Sequence, residues 1–320
     1  MNHKMSGIMI VEVIISMTLG LIIVAALVEV SLMLKQLWLM QQGMCRIQEN
    51  ARMIDTLLGG AIKNNNYFGC HALSDNISIR IHQGIDANYF GLSSHWPLSG
   101  DKSKISLDNA VPGSDVLWLR SFKTSLPLIE NTSGEHGYFL VQGKAPIKKG
   151  RLIAISDCSH IDVLKVEGRV EPVEKGMIKI YPKKDEGSIA LSKYYQAGAQ
   201  VGMISSSLYY VTKTKRTNTS GIPVFALYTL DLNGRKREWV EGVEYISILY
   251  GVMSKDVIQY FNASQVKDWK SVVSVKARIL LDSIEDALPK PQPYDINEQA
   301  IIPDDRMLRK WVYYEWAIKA

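Results

Sequence analysis

Cysteine is scarce: the chain of 320 residues carries three, Cys45, Cys70 and Cys158. So few exclude a small scaffold built on disulfides. Histidine is thin as well. His3, His71, His82, His95, His136 and His160 are scattered without metal-ligand spacing, and His160 beside Cys158 has no further ligands in reach of a motif. No proline precedes Pro97, so nothing forces a break in an N-terminal helix. Neither charge sign is in large excess. The 37 Lys+Arg against 32 Asp+Glu leave a net charge of +5, too little over this length to demand a nucleic-acid partner. At 47% hydrophobic and 22% charged residues, disorder and collagen-like repeats are excluded. No G-x-S-x-G elbow occurs. Gly137 to Lys144 approximates a phosphate-binding loop, but it has one residue too many and Ala145 where a hydroxyl should reach magnesium. The sequence is therefore read as that of a non-enzyme with no cofactor.

What the chain does have is a long apolar run. From Ile8 to Val28 the sole charge is Glu12, and a helix over that stretch is about 32 Å long, enough to cross a bilayer. Ser31 to Leu34 extend it, and Lys35 marks the return to water. A polar leader, Met1 to Gly7, precedes the run, and the small residues Ser6-Gly7 stand before it rather than after it, where a secretory signal would be cut. A carboxylate within a span costs about 2.5–3.5 kcal/mol. Glu12 therefore either lies near the interface and reaches water or has a partner.

Beyond the run, Leu37, Met40, Met44, Ile47, Ala51, Ile54, Leu58 and Ala61 recur at alternating spacings of three and four, the stripe of an amphipathic helix. One helix is predicted from Ile8 to about Lys63, roughly 80 Å long, with Gly59-Gly60 and Lys63-Asn64-Asn65-Asn66 as its stop. Two to three heptads are marginal as a free coiled coil, so the stripe is expected to pack on the chain's own body.

After Tyr67 the pattern changes to strands: Val116–Phe122, Tyr138–Gln142, Leu152–Ser156, Ile161–Val166, Ser207–Thr212, Val224–Leu230, Val243–Val252, Val257–Phe261 and Val273–Leu281. Trp311–Ile318 reads equally as strand or helix. Asn233-Gly234 predicts a two-residue hairpin turn, and Ala287 to Asp305, rich in proline, a surface loop. Without strand–helix alternation a doubly wound nucleotide fold is disfavoured. The class is α+β: a long helix packed on an antiparallel β-rich body of two sheets. Two basic clusters, Lys213-Thr214-Lys215-Arg216 and Arg235-Lys236-Arg237, fall at predicted hairpin turns near Tyr209, Tyr210 and Tyr228. Lys213, Lys215, Arg216, Arg235, Lys236 and Arg237 are either solvated charge or a basic tip for DNA or another anionic surface.

Ser6-Gly7-Ile8-Met9-Ile10-Val11-Glu12 resembles the prepilin processing motif of type IV pilins and type II secretion pseudopilins. The resemblance implies cleavage between Gly7 and Ile8 by a prepilin peptidase and methylation of the new amine of Ile8. It also implies that Glu12 pairs with the N-terminal amine of a neighbouring subunit. The family's usual Phe is absent from the start of the run, although hydrophobicity is kept. Asn66-Tyr67-Phe68-Gly69-Cys70 and Ile155-Ser156-Asp157-Cys158-Ser159 resemble cysteine segments of the PilW family of minor pilins. Ser207–Val211, Val240–Glu244, Leu249–Val252 and Trp269–Val275 continue that likeness in order.

The family resemblance implies a lollipop in four parts: leader 1–7, transmembrane and assembly helix 8–35, amphipathic helix 36–64, and periplasmic body 65–320. It implies a disulfide between Cys70 and Cys158, a pairing that spacing by itself leaves open. Cys45 is expected to be a free buried thiol. Relatives carry an acidic loop suited to calcium where this chain has Met253-Ser254-Lys255-Asp256, one carboxylate beside a lysine, so no calcium is expected there. The implied partners are other minor pilins, the major pilin, the prepilin peptidase, the inner-membrane assembly platform and inner-membrane lipid. The implied location is the bacterial inner membrane, then the extracellular pilus. Two alternatives stand beside this: a J-type pseudopilin of type II secretion, and a membrane-anchored periplasmic enzyme or binding protein.

Overall fold

The computed structural model describes residues 6–63, 68–69, 78–82, 98–99, 107, 109–132, 137–184, 189, 191–231, 234–267 and 269–318. It begins with one helix, α1 (Ser6–Lys63), of 58 residues and about 87 Å of rise. The missing proline permits this length. Within the apolar run, the hydroxyls of Thr18 and Ser31 donate back to the carbonyls of Ile15 and Leu27 at 2.8 and 2.7 Å, so neither needs a partner outside the helix. Gly59 and Gly60 do not stop α1. Both lie inside it.

Among the described residues sixteen strands follow: β1 (Ser78–Ile81), β2 (Leu98–Ser99), β3 (Leu117–Pro127), β4 (Phe139–Gln142), β5 (Leu152–Ser156), β6 (His160–Val173), β7 (Met177–Pro182), β8 (Gln200–Thr217), β9 (Pro223–Asp231), β10 (Lys236–Glu241), β11 (Val243–Ser254), β12 (Val257–Phe261), β13 (Val272–Asp286), β14 (Tyr294–Ile296), β15 (Gln299–Ile301) and β16 (Met307–Ala317). The molecule is thus an α+β lollipop, a long helix followed by a β-rich body. A ten-stranded sheet runs β10-β9-β8-β5-β6-β7-β4 with β1, β2 and β3 joined to it; a four-stranded sheet runs β12-β11-β13-β16; β14 and β15 form a hairpin. The expected two sheets are therefore supplemented by a small third one.

Several details differ from the sequence expectation or resolve what it left open. One pair, β1 with β6, is parallel. The ambiguous C-terminal segment is strand β16. The proline-rich loop contains the β14–β15 hairpin, turned by Asn297 and Glu298 with φ of 50° and 66°, the geometry that matches strand twist in a two-residue loop. Lys255 and Asp256, at 48° and 64°, turn β11 into β12 in the same way. Around the turn predicted at Asn233-Gly234, β9 ends at Asp231 and β10 begins at Lys236. Asp231 closes it, receiving Gly234 N–H on its carbonyl and Arg235 N–H on its carboxylate at 3.0 Å each; Leu232 and Asn233 lie outside the described residues. The stretch resembling a phosphate loop, Gly137 to Lys144, contains β4, with Phe139 and Val141 in the core.

β8 joins two cores. Near its start Val201 packs with Leu126, Phe139, Ile153, Leu164 and Ile180. Further along, Tyr209 and Val211 pack with Leu227 and Val240, with Ile246, Ile279 and Leu281 of the four-stranded sheet, and with Ile47, Ile54, Leu58 and Ile62 of α1. Tyr210 points to the other face and meets Val116, Trp118 and Leu208. Both faces of this strand are covered.

α1 and β13 run antiparallel. Gly43 lies against Ser283 and Ala287 at the end of β13, and Gly59 against Trp316 of β16, which pairs with Val275 near the start of β13. A Cβ at Gly43 would stand 3.0 Å from the Cβ atoms of both Ser283 and Ala287, and one at Gly59 would stand 2.7 Å from Trp316 Nε1. Nothing lies within 4 Å of a Cβ at Gly60. Gly59→Val is therefore expected to lower stability by about 1–3 kcal/mol through overpacking, whereas Gly60→Ala is neutral or raises it by up to about 1 kcal/mol. Urea unfolding in detergent, followed by tryptophan fluorescence, measures both; equal losses at the two positions would contradict this packing.

Candidate functional site: the stem and its seat

The exposed apolar half of α1 and the surface that holds its other half form the most distinctive feature of the molecule. The side chains from Ile10 to Leu34 are exposed throughout, and the helix is long and apolar enough to cross a membrane. Glu12 and Glu29 are the carboxylates on this stretch. Glu29 lies one residue beyond the window Ile8–Val28, in which Glu12 is the sole charge, which is why a reading of the run alone passes over it. Gly7 and Ile8 are helical residues within the first turn of α1.

The seat begins two residues after Leu34. Gln36 Nε2 donates to Ala287 O at 2.9 Å. Above it Asn50 Nδ2 donates to Glu241 O at 2.8 Å, Tyr314 OH to Ala51 O at 2.6 Å, and Trp316 Nε1 to Asp55 Oδ1 at 2.7 Å. Between these polar contacts Ile47, Ile54, Leu58 and Ile62 are fully buried, each contributing about 1.5–3 kcal/mol of apolar burial. The predicted stripe is correct from Met44 onward. Leu37 and Met40 are exposed instead, because the body first closes around the helix near Gly43. Cys45, expected to be buried, is an exposed free thiol; it sits between the buried positions 43 and 47 but points off the seat.

Beside the seat lies a charged cluster that the sequence did not reveal. Arg309 holds Glu244 at 2.8 and 3.0 Å and Asp305 at 2.7 and 2.8 Å. Asp282, 3% exposed, adjoins them. Burial pushes its carboxyl up to about 8, and the charge of Glu244 adds to the rise; Ile284 N–H and Arg309 oppose it. The next residues form a bulge between β13 and β16, where Ile284 has φ of 66°, a strained value for a β-branched residue. The bulge delivers Ser283 and Ala287 to Gly43.

Of the two expected disulfide partners, Cys158 is disulfide-bonded and Cys70 lies outside the described residues. Cys158 occupies a left-handed turn position, φ 73°. Asp157 builds that turn, accepting Ser159 N–H, Ser159 Oγ–H and His160 N–H at 3.2, 2.9 and 2.9 Å. Burial raises the Asp157 carboxyl, but the hydrogen bonds from Lys193, His160 and Ser159 outweigh it and hold it at about 2. Phe68, just before Cys70, is buried against Phe122 with ring centroids 5.1 Å apart.

The two basic clusters do not meet. Lys213, Lys215 and Arg216 lie within β8 near its turn into β9, and Arg235, Lys236 and Arg237 at the opposite end of β9. Their register positions on β9, Phe225 and Leu230, are about 16 Å apart at strand rise. Arg216 is engaged by Glu238 and Glu241. Tyr209 and Tyr210 are buried and offer no aromatic surface to a ligand.

Residues 208–314 match the family model for Type IV Pilus-assembly protein W. That stretch is thereby related to type IV pilus assembly. The chain matches no curated protein and no solved structure. The match starts midway along β8 and ends in β16, so it takes in β10, β13 and most of β16, the strands on which α1 sits.

Asp282 makes the seat sensitive to pH. A carboxyl whose folded pKa lies above its unfolded value of 3.8 gives its full stabilisation below that value and loses it as pH rises toward about 8. Asp157, held at about 2, acts in the opposite sense, and its contribution is complete by about pH 5. Stability is thus expected to fall between about pH 5 and 8.5, and Asp282→Asn to flatten that slope. Urea midpoints across this range test it; an unchanged slope in the variant would contradict the assignment.

Proposed function

We propose that this protein is a minor pilin of a type IV pilus, a structural, non-catalytic subunit that helps prime assembly and sits at the pilus tip with other minor pilins. One observation carries the reading. A single unbroken helix bears an exposed apolar half with Glu12 near its start, and seats its other half on a body in which residues 208–314 match a pilus-assembly family model. An ordinary membrane anchor has no need of so rigid a continuation into the body.

In this account residues 1–7 are a leader removed between Gly7 and Ile8, and the amine of Ile8 is methylated. Residues 8–35 hold the protein in the inner membrane with its body in the periplasm until it is drawn into the fibre. A buried carboxylate and a buried ammonium each cost several kcal/mol, and bringing them together relieves much of that cost. Glu12 therefore pairs with the N-terminal amine of a neighbouring pilin and sets the stagger between subunits. A Cys70–Cys158 disulfide, worth about 4–5 kcal/mol for a loop of this length, ties the end of α1 to the turn before β6. It leaves Cys45 as the one thiol that alkylates without reductant.

Deletion of the gene is expected to abolish or sharply reduce surface pili. The intact gene restores them, and Glu12→Leu, which removes the carboxylate from a position exposed in the free subunit, does not, although the variant accumulates in the membrane. Electron microscopy and immunoblotting measure the two quantities. A secretion defect with normal pili would instead make the chain a J-type pseudopilin, and normal pili and secretion in the deletion strain would contradict both.

A further inference from the structure

The first basic cluster, read from the sequence as solvated charge or a basic tip at a hairpin turn, lies at the stem end of the body. Asn218, in the turn that follows it, donates from Nδ2 to Ile284 O at 2.8 Å. Thr219 N–H donates to Glu285 at 3.1 Å and Ser220 Oγ–H to Asp286 at 3.2 Å. These acceptors belong to the end of β13 that approaches Gly43, and Ala287 next in the chain receives Gln36. The β8–β9 turn, the β13 end and the loop holding Lys290 therefore gather where α1 leaves the body for its apolar half. Arg306 joins them, donating its N–H to Asp286 at 2.9 Å while Ala287 N–H donates to its carbonyl at 3.0 Å.

Lys35, Lys213, Lys215 and Lys290 are exposed here, with no ion-pair partner among the described residues. The carboxylates of the same end are engaged. Glu285 is held by Thr219, Asp286 by Arg306 and Ser220, and Glu238 and Glu241 by Arg216; Asp304 is the exposed exception. The alternation of β8 puts Lys213 on the face of Tyr209 and Val211, the side on which α1 lies.

The level of this surface follows from the helix. Gln36 is two residues past Leu34, about 3 Å of rise, whereas the headgroup layer is about 5–7 Å thick on each side of the hydrocarbon. We propose that this stem-proximal end of the body, through Lys35, Lys215 and Lys290 with Lys213 behind them, rests on anionic phospholipid headgroups while the stem is in the membrane. The proposal depends on the stem crossing a bilayer. It adds that the body docks on the lipid surface in a fixed orientation, held by charge that acts within a Debye length of about 8 Å and is released when the subunit is extracted.

The test uses the full-length protein in nanodiscs of phosphatidylcholine, with and without phosphatidylglycerol. A water-soluble acylating ester labels lysines, and peptide mass spectrometry reads the rate at each. Lys215 and Lys290 are expected to react about fivefold more slowly in the anionic discs, with the protection lost at high salt. Lys255, at the turn between β11 and β12 far from the stem, should react equally in all discs. Equal rates for Lys215 and Lys290 in both lipids would overturn the docking while leaving the stem in the bilayer. Protection by added duplex DNA in neutral discs, without protection by phosphatidylglycerol, would assign the cluster to nucleic acid and also overturn it. Failure of the chain to enter discs at all would remove the stem reading, and the docking with it.

Discussion

The close approach of α1 to β13 and β16 is the constraint on which the rest of the molecule depends. It is possible because Gly43 and Gly59 present no side chain at the two ends of the seat, while Ile47, Ile54 and Leu58 fill the space between them. Hydrogen bonds from Gln36, Asn50, Tyr314 and Trp316 fix the helix along its axis. A helix of this length, alone in water, would gain little from propensity. Here its second half is held by packing, so its first half projects as a continuation of a fixed rod. Any force on the stem is delivered through these contacts to the four-stranded sheet and to β10 of the ten-stranded one.

The body is organised around that seat by β8. One end of this strand belongs to the core shared with α1 and the four-stranded sheet, the other to a core made by β3 through β7 with β8 itself. The family match takes in the part of the first core that β8 to β16 supply, and leaves out its α1 and β3 residues, Trp316 and the whole of the second core. This division has a physical sense. The strands that must accept a rigid helix with two glycine contacts are tightly constrained in shape, whereas the second core needs only to fill itself.

How much of this could be read from the residues differs from element to element. β5 and β12 have the boundaries that their apolar runs predict, and the seat is visible in the three-and-four spacing from Met44 to Ala61. β6 and β8 extend well beyond their predicted ranges, because the added stretches, Glu167–Val173 of β6 and Gln200–Ser206 and Lys213–Thr217 of β8, carry glycine, proline, serine or clustered charge and no apolar run that marks a strand. Gly59-Gly60 has the composition of a helix stop, and only the presence of Trp316 opposite shows what Gly59 is for. The acid cluster of Glu244, Asp282, Asp305 and Arg309 is assembled from residues far apart in the chain, so no local pattern announces it. The basic clusters were legible as residues and not as a place: the length of β8 and β9 decides that one lies at the stem and the other about 16 Å away along the sheet.

The central claim is that the apolar half of α1 enters a pilin pathway rather than serving as a permanent anchor. Intact mass and N-terminal sequencing of the membrane-extracted protein, from cells with and without the prepilin peptidase, address it most directly. The account predicts a chain that begins at Ile8 when the peptidase is present and at Met1 when it is absent. A chain that begins at Met1 in both would contradict it, and the role assigned to Glu12 would fall with it.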